Sequence, residues 1–254
     1  MNWDWVVQQQ KLYPGLKWQD LQQLWQHYKG EILLLNDACE KLHQGKPIEY
    51  LLGCASFGPL TLAICEPLLI PRPETWDWIE QFLPTVQPKN VLDLGCGPGT
   101  LGTALAYFHP HQSELTSVDI NPIALKQAEK NLLDRPLLKK TYIQSDWFKQ
   151  ISTNQKFDLI MSNPPYCAEE ERSWMDAPDE DYQALFAGMG GLEAYHIILK
   201  DVFNYLNSNG VVIFEHGASQ GGALIQLLQF AKITHWTQWY DKMGAWRATS
   251  FRKP

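Results

Sequence analysis

From residue 90 onward, short apolar runs alternate with stretches of helical periodicity. The apolar runs are strand candidates at residues 91–94, 116–119, 142–144, 157–162 and 211–215. Helical stretches separate them, such as residues 123–133, which Asn121 is expected to cap with Pro122 at the first helical position. Alternating strands and helices of this kind predict a parallel sheet that is covered by helices on both faces.

The two ends of the chain follow other patterns. In WQDLQQLWQHY the apolar side chains of Leu21, Leu24, Trp25 and Tyr28 recur at helical spacing, and the first 45 residues read as helices. Residues 48–70 lose this period and predict a β-hairpin or an extended linker, after which PRPET opens a helix at 76–83. Near residue 254 two short aromatic runs flank DKMG, which predicts an antiparallel pair at the sheet edge.

Composition restricts the class of protein. The chain is 45% hydrophobic and 19% charged, as in a globular protein, and its net charge of −7 argues against a protein that binds duplex nucleic acid. Five cysteines occur without the short spacings of a zinc site or a redox pair, so we expect reduced thiols and no metal. The sequence has neither an apolar run of about 18 residues nor a signal-peptide pattern, so we expect a cytoplasmic protein.

A glycine-rich stretch, VLDLGCGPGTLGTAL, follows the first of these strands and opens a helix. Gly95, Gly97 and Gly99 permit tight turns and close approach of a ligand to the backbone. Asp119 ends the next strand, where a carboxylate can accept both hydroxyls of a ribose. The G-x-G-x-G spacing differs from the dinucleotide pattern, and the loop lacks the Gly-Lys-Ser/Thr of a P-loop. The alternative is a tight turn that binds nothing.

The next strand ends in QSDWF. Asp146 can accept a hydrogen bond from an adenine amino group, and Trp147 can supply a flat apolar wall. The alternative is that Asp146 caps a helix and Trp147 is an aromatic residue of the core, which explains this segment equally well. Both interpretations remain open at this point.

The fourth strand ends in Asn163-Pro164-Pro165-Tyr166, at the edge where open α/β sheets bind ligands. The prolines stiffen the chain and donate no N–H group, so their carbonyls and the Asn163 side-chain oxygen form a row of acceptors. A planar amide or amine can be held there beside a ligand bound at the glycine loop, with the Tyr166 ring stacked on it. The alternative is a proline-rich turn with Asn163 in an Asx-turn.

DLGCGPG resembles motif I of class I S-adenosylmethionine-dependent methyltransferases. Together with GKPIEYLLG, LLIPRPET, QSDWF, SNPPY and EHG, it resembles the bacterial release-factor glutamine methyltransferase family from about residue 30 to the end. The resemblance implies an α/β fold, a Rossmann-like seven-stranded methyltransferase sheet with a small N-terminal helical domain. We expect a helical recognition domain at 1–47, a hairpin linker at 48–75 and the methyltransferase domain at 76–254.

The same resemblance implies transfer of a methyl group from S-adenosylmethionine to the N5 atom of the Gly-Gly-Gln glutamine of class I peptide chain release factors. The products would be N5-methylglutamine and S-adenosylhomocysteine. The cofactor residues implied by position are Gly95, Cys96, Gly97, Pro98, Gly99, Asp119, Trp147 and Asn163, with Asp146 added from the adenine argument. Asn163, Pro164, Pro165 and Tyr166 would hold the glutamine. The helical domain would contact the release factor, and we expect a monomer without nucleic-acid or membrane partners.

The sequence departs from the family pattern at Asp181 and His196, where the family has proline and arginine. Arg72 and Glu74 either order the linker over the cofactor or form a salt-bridged surface turn. Three other functions stay open. They are a ribosomal-protein glutamine methyltransferase, an adenine-N6 nucleic-acid methyltransferase, and a cofactor-binding protein that docks a translation factor without catalysis.

Overall fold

The computed structural model describes residues 3–170 and 180–253. Residues 1–2, 171–179 and 254, which belong to the predicted domains, lie outside the described ranges. The chain begins with three helices: α1 (Trp3–Leu12), α2 (Trp18–His27) and α3 (Ile32–His43). They share a small core that includes Leu21, Leu24 and Leu35. The buried face of α2 thus follows the helical spacing of its apolar residues.

A short helix and a hairpin follow, so the hairpin prediction is confirmed. Helix α4 (Ile48–Leu52) ends at Gly53, whose backbone is left-handed, and β1 (Cys54–Phe57) pairs antiparallel with β2 (Leu60–Ala63). The side-chain amides of Gln127 and Asn131 donate to the Ala63 carbonyl at 2.6 and 2.8 Å. The hairpin is therefore held on the α/β domain. The division of the chain at residues 47 and 75 stays a prediction.

Helix α5 (Pro73–Phe82) begins three residues earlier than the predicted start at Trp76. Pro73 fits the first helical turn because the N–H group it lacks has no partner inside a helix, and its fixed φ is already helical. The Trp76 ring then packs edge-on against Phe57 of the hairpin. Gly58 lies so close to this ring that a Cβ there would overlap it.

Seven strands form the central sheet, in the order β5-β4-β3-β6-β7-β9-β8, so the predicted seven-stranded α/β fold is confirmed. They are β3 (Asn90–Leu94), β4 (Glu114–Asp119), β5 (Lys139–Gln144), β6 (Phe157–Ser162), β7 (Leu206–Glu215), β8 (Trp236–Tyr240) and β9 (Trp246–Arg252). The first five strands in this order are parallel, and β9 is antiparallel to both β7 and β8. The predicted antiparallel edge pair is thus confirmed.

Helices cover both faces of the sheet. On one face, α5 is joined by α6 (Thr100–Phe108) and α7 (Pro122–Leu132), and on the other lie α9 (Glu193–Asp201) and α10 (Gly221–Phe230). The short helix α8 (Tyr182–Leu185) belongs to neither of the cores on these two faces. Alternate residues of one strand enter different cores. Leu159 and Met161 of β6 pack with α5 and α6, whereas Ile160 packs with α9 and α10. This explains why the strands read as continuous apolar runs. Within the described ranges, none of the helices has the length and apolar character needed to cross a bilayer.

Strands β3 and β4 begin one and two residues before their predicted starts, and two further strands are longer by three residues or more. β5 begins at Lys139 and β7 at Leu206, three and five residues before the predicted starts. β5 is an edge strand, where lysines are common because one side of the strand faces solvent. The Lys140 ammonium donates to the Leu132 and Leu133 carbonyls at 2.5 and 2.8 Å. It therefore stabilises the C-terminal end of α7, in line with the negative end of the helix dipole.

Candidate active site

The glycine loop connects β3 to α6 at the carboxyl edge of the sheet. The N–H groups of Gly95 and Cys96 both donate to the Val118 carbonyl, at 2.8 and 2.9 Å, which holds the loop against β4. Gly95 and Gly97 have φ of 74° and 52°, in the left-handed region that glycine tolerates. Both line a cavity of about 520 Å³, and a Cβ on Gly97 would meet no atom within 4 Å. The loop thus leaves backbone open to a ligand.

Three predicted cofactor residues of this loop are not among the described residues that line the cavity. The Cys96 side chain is buried, and the Pro98 carbonyl accepts a hydrogen bond from the Asn131 side chain at 2.8 Å. At Gly99 a Cβ would lie 3.0 Å from the Cα of Ala128, so this glycine permits close packing of α6 on α7. The observed contacts of Cys96, Pro98 and Gly99 therefore hold the loop in place on the side away from the cavity.

Asp119 ends β4 beside the loop and lines the cavity. Its Oδ2 accepts from the Gly97 N–H at 2.8 Å, and its Oδ1 accepts from the Asn121 N–H at 2.9 Å. Burial raises the pKa of this carboxyl, and those two N–H groups oppose the rise. Each oxygen keeps a second lone pair, so the carboxylate can still accept hydrogen bonds from a diol.

The QSDWF segment forms another wall of the cavity, and both Asp146 and Trp147 line it. Trp147 has φ of 51°, and its ring lies 3.6 Å from the position of a Cβ on Gly95. The Asp146 side chain is 42% exposed and forms a 2.6 Å ion pair with Lys149. The tryptophan therefore provides a fixed flat surface, whereas the aspartate is shared with solvent and a neighbouring cation.

The NPPY loop leaves β6 next to the glycine loop. The Ser162 hydroxyl donates to the Leu94 carbonyl at 2.6 Å, which joins the ends of β6 and β3. Asn163 and Pro165 line the cavity, whereas Pro164 and Tyr166 are not among its described lining residues. The Tyr166 ring packs on the core under α9 and α10. Burial raises the pKa of the Tyr166 hydroxyl well above its usual value.

Residues 180–187 form a further wall of the cavity, and most of them line it. Cys167 exchanges hydrogen bonds with this segment, through its N–H to Leu185 (2.8 Å) and its carbonyl to Ala187 (3.0 Å). Asp181 accepts from the Asn121 side chain at 3.1 Å and donates its own N–H to the Pro67 carbonyl at 2.6 Å. A proline, as in the family pattern, has no N–H for the second bond.

Arg72 and Glu74 lie where the linker meets these elements. Arg72 forms a 2.7 Å ion pair with Glu180, whose side chain is only 2% exposed, and Glu74 lies 3.9 Å from Arg247. Arg72 therefore ties the linker to the segment that covers the cavity. This contact agrees with the predicted ordering role more closely than with a surface turn.

Several lining residues were not identified from the sequence. Asn121 carries a recognisable signal, because it lies two residues after Asp119 and caps α7 through its side chain. Glu193, Ala194 and Ile197 of α9 also line the cavity, as do Leu68 and Leu69 of the linker. The α9 residues occupy ordinary helical positions, and only the packing of α9 on the sheet brings them to the site.

Two buried carboxyl groups lie behind the site. The Asp93 Oδ2 accepts from the Gly102 N–H at 3.1 Å, while its Oδ1 has no partner in the described part of the chain. The Glu215 carboxyl accepts from the Thr75 hydroxyl at 3.0 Å and the Trp78 indole at 2.9 Å. Burial raises the pKa of each carboxyl to about 7.

The donors and walls of the cavity fit S-adenosylmethionine. The volume of the cavity is within the range of known cofactor sites. Open backbone at Gly97, the Asp119 carboxylate and the Trp147 surface suit an amino acid portion, a ribose and a flat base. The described residues include no group of three or more His, Cys, Asp or Glu side chains placed to hold a metal ion.

The chain is similar to known proteins in sequence. A family model described as the methyltransferase small domain matches residues 78–177. The release factor glutamine methyltransferase of Lactococcus lactis subsp. lactis is 37% identical over 205 residues, which cover 78% of this chain and 74% of that protein. The protein of the same name from Escherichia coli is 35% identical over 208 residues, with the same two shares.

A solved structure shows the same fold. The T. thermophilus 16S rRNA N2 G1207 methyltransferase (RsmC), in complex with AdoMet and guanosine, matches with a TM-score of 0.54 at 16% identity over 79% of this chain and 50% of that chain. The assignment to a family rests on the sequence relatives, which are matched over more than two thirds of their length. The chain belongs to the release factor glutamine methyltransferase family.

Proposed function

We propose that the protein transfers a methyl group from S-adenosylmethionine to the N5 atom of the Gly-Gly-Gln glutamine in class I peptide chain release factors. The single observation that carries this proposal is that Asn163 and Pro165 line the same cavity as Gly95, Gly97 and Asp119. An acceptor site for an amide and a site for a nucleotide-like cofactor thus adjoin each other. The names of the curated relatives support the choice of substrate.

In the proposed complex, different walls of the cavity contact different parts of the cofactor. The backbone of Gly95 and Gly97 would contact the amino acid portion, Asp119 would accept the ribose hydroxyls, and Trp147 would contact the adenine. When bound, S-adenosylmethionine supplies a methyl group made electrophilic by its sulfonium. Cys96, Pro98 and Gly99 would act mainly by holding the loop, and Asp146 would add a weaker contact.

The NPPY loop would bind and orient the glutamine amide. The Asn163 side-chain oxygen and a proline carbonyl accept hydrogen bonds from the amide NH2, which aims its nitrogen along one direction. These bonds also hold electron density on a nitrogen that conjugation otherwise makes a poor nucleophile. The nitrogen would gain the methyl group and lose one of its two protons to solvent, and S-adenosylhomocysteine would be left as the second product. Catalysis then comes from positioning and electrostatics, without a strong general base. Residues 180–187 would exclude water from the reacting atoms.

Asn163→Ala tests the proposal most directly. The purified protein is incubated with labelled S-adenosylmethionine and a class I release factor, and the Gly-Gly-Gln peptide is analysed by mass spectrometry. We expect one added methyl group on that glutamine, and a loss of about 100-fold or more in kcat for Asn163→Ala because an amide acceptor is gone. Asn154→Ala, a change at an exposed loop asparagine, is the matched control.

Other outcomes would redirect the proposal. Cofactor binding without methylation of the release factor would remove this substrate, and ribosomal proteins would be assayed next. Methylation that persists in Asn163→Ala would remove the NPPY loop from the mechanism.

A further inference from the structure

Gln220 connects the NPPY loop to two other segments of the chain. Its Nε2 donates to the Tyr166 carbonyl at 2.6 Å and lies 3.4 Å from the Gly190 carbonyl. Its Oε1 accepts from the Gly217 N–H at 3.0 Å. One side-chain amide therefore holds together the end of the NPPY loop, the glycine-rich turn before α9, and the turn between β7 and α10.

The local helix does not explain a glutamine at this position. Gln220 is the N-cap residue of α10, but its side chain makes no capping hydrogen bond. Short polar side chains are preferred at N-caps because they reach the helix N–H groups. The longer glutamine side chain instead folds back to Gly217 and across to Tyr166.

The backbone around this contact has little freedom. Gly191 has φ of 66°, and a Cβ there would clash with the Tyr166 carbonyl oxygen and lie 2.6 Å from the Gln220 Nε2. A Cβ on Gly217 would lie 2.9 Å from the Gln220 Oε1. Glycines at both positions allow three backbone segments to meet around one amide.

The contact bears on the reaction because it fixes one end of a stiff loop. Pro164 and Pro165 restrict rotation, so the direction of the acceptors depends on how the two ends are held. The Ser162 bond to Leu94 holds the first end, and Gln220 holds the Tyr166 end. The Tyr166 carbonyl is thereby engaged, which leaves Asn163 and the proline carbonyls to receive the substrate amide.

We propose that Gln220 is a positioning residue for methyl transfer, which acts by orienting the NPPY acceptors without touching substrate or cofactor. The inference rests on the proposed function of the NPPY loop. It predicts that the Nε2–H donor, rather than the size of the side chain, is what the reaction requires.

Gln220→Glu and Gln220→Met test this role. The first keeps the acceptor for Gly217 but places an oxygen against the Tyr166 carbonyl, and the second keeps the length but removes the donor. Gln81→Glu is the matched control, because Gln81 also donates to two backbone carbonyls, those of Asp77 and Tyr240, away from the cavity. The three variants and the wild type are compared in kcat, dissociation constant for S-adenosylmethionine, and hydrogen exchange.

Both Gln220 variants should lower kcat about 10- to 100-fold while the cofactor dissociation constant changes less than about twofold. Amide exchange in peptides covering residues 163–170 and 185–191 should accelerate, since the Cys167 and Ala187 N–H groups lie in this network. Gln81→Glu should leave kcat and these peptides unchanged.

The proposal is overturned if exchange stays slow in both Gln220 variants, if exchange accelerates with kcat unchanged, or if cofactor affinity falls as far as kcat. If the wild type methylates no release factor, the proposed function fails. Slow exchange in the variants would then also overturn the ordering role of Gln220, and accelerated exchange would support it.

Discussion

Asp119 shows how one side chain can build a site and serve it at the same time. Its two oxygens accept from the backbone of the glycine loop and from Asn121, so its charge fixes two loops before any ligand arrives. Asp146 lines the same cavity, but its side chain is 42% exposed and paired with Lys149. An ion pair at the surface contributes little, whereas a half-buried carboxylate with several hydrogen-bond partners contributes more.

Asp119→Ala should therefore weaken binding of S-adenosylmethionine much more than Asp146→Ala. We expect a loss of about 10- to 100-fold for Asp119→Ala, equivalent to about 1.4–2.8 kcal/mol, and about threefold or less for Asp146→Ala. Isothermal titration calorimetry measures both. Equal losses in the two variants would contradict the difference we assign from burial.

Asp93 couples stability to pH. Its pKa of about 7 in the folded state, caused by burial, exceeds the ordinary value of 3.8. The folded protein therefore binds the proton more readily than the unfolded chain, and the resulting stability is present below pH 3.8 and lost as pH rises through about 7. Glu215, raised from 4.5 to about 7, contributes with the same sign.

Asp93→Asn should flatten this pH dependence, because an amide does not titrate. Between pH 5 and pH 7 the combined contribution of Asp93 and Glu215 to the free energy of unfolding should fall by a few kcal/mol, with roughly half of that fall absent in the variant. Urea unfolding at several pH values measures it. A variant with the full wild-type slope would show that Asp93 does not titrate in this range.

The ends of helices and strands were predicted most accurately where adjacent residues specify them. Asn121 and Pro122 act together at the start of α7, and the predicted helix 123–133 matches Pro122–Leu132 within one residue. The starts of α5 and β5 were wrong because Pro73 is compatible with a helix and Lys139 with an edge strand. A single residue type is compatible with several backbone structures, whereas a capping residue followed by proline is compatible with few.

The packing of α6 on α7 explains why Gly99 is a glycine, although the motif alone assigns this residue to cofactor binding. Gly99→Ala should destabilise the fold by about 2–4 kcal/mol, since left-handed backbone strain adds to the overlap of α6 with Ala128. Gly97→Ala should cost only the strain, about 1–2 kcal/mol, but weaken cofactor binding because its Cβ would project toward the cavity. Denaturant unfolding and calorimetry separate the two effects. Equal destabilisation by both variants would argue against the packing role of Gly99.

Across the whole molecule, the described residues form four buried clusters with different relations to the cavity. One of them, around the linker, includes Leu68 and Ala124, which line the cavity. The two cores of the sheet contain no residues of α1–α3, and the N-terminal core contains only these helices and their neighbours through Leu52. Contacts such as the Tyr28 hydroxyl on the Leu51 carbonyl connect that core to the linker. A ligand in the cavity touches the sheet and linker but none of these three helices.

Binding of S-adenosylmethionine should therefore slow hydrogen exchange unevenly along the chain. At about 100 times its dissociation constant it should add about 2.7 kcal/mol of stability. We expect slower exchange in peptides covering residues 93–99, 117–121 and 180–187, and unchanged exchange in α1–α3. Asp119→Ala at the same concentration is the control. Equal slowing in α1–α3 would show that the N-terminal helices and the sheet unfold as one unit.

The sequence by itself determined the alternation of strands and helices, the antiparallel edge pair, the cap of α7, and the motifs that meet at the sheet edge. These features depend on neighbours along the chain, on periodicity, and on the rule that parallel strands end on one edge. Only the tertiary structure decided that Gly97 and Pro165 face the cavity while Gly99 and Tyr166 pack behind it. It also decided that Gln220 reaches the NPPY loop across 54 residues. The direction of a side chain is set by the packing of elements distant in sequence, which no local pattern encodes.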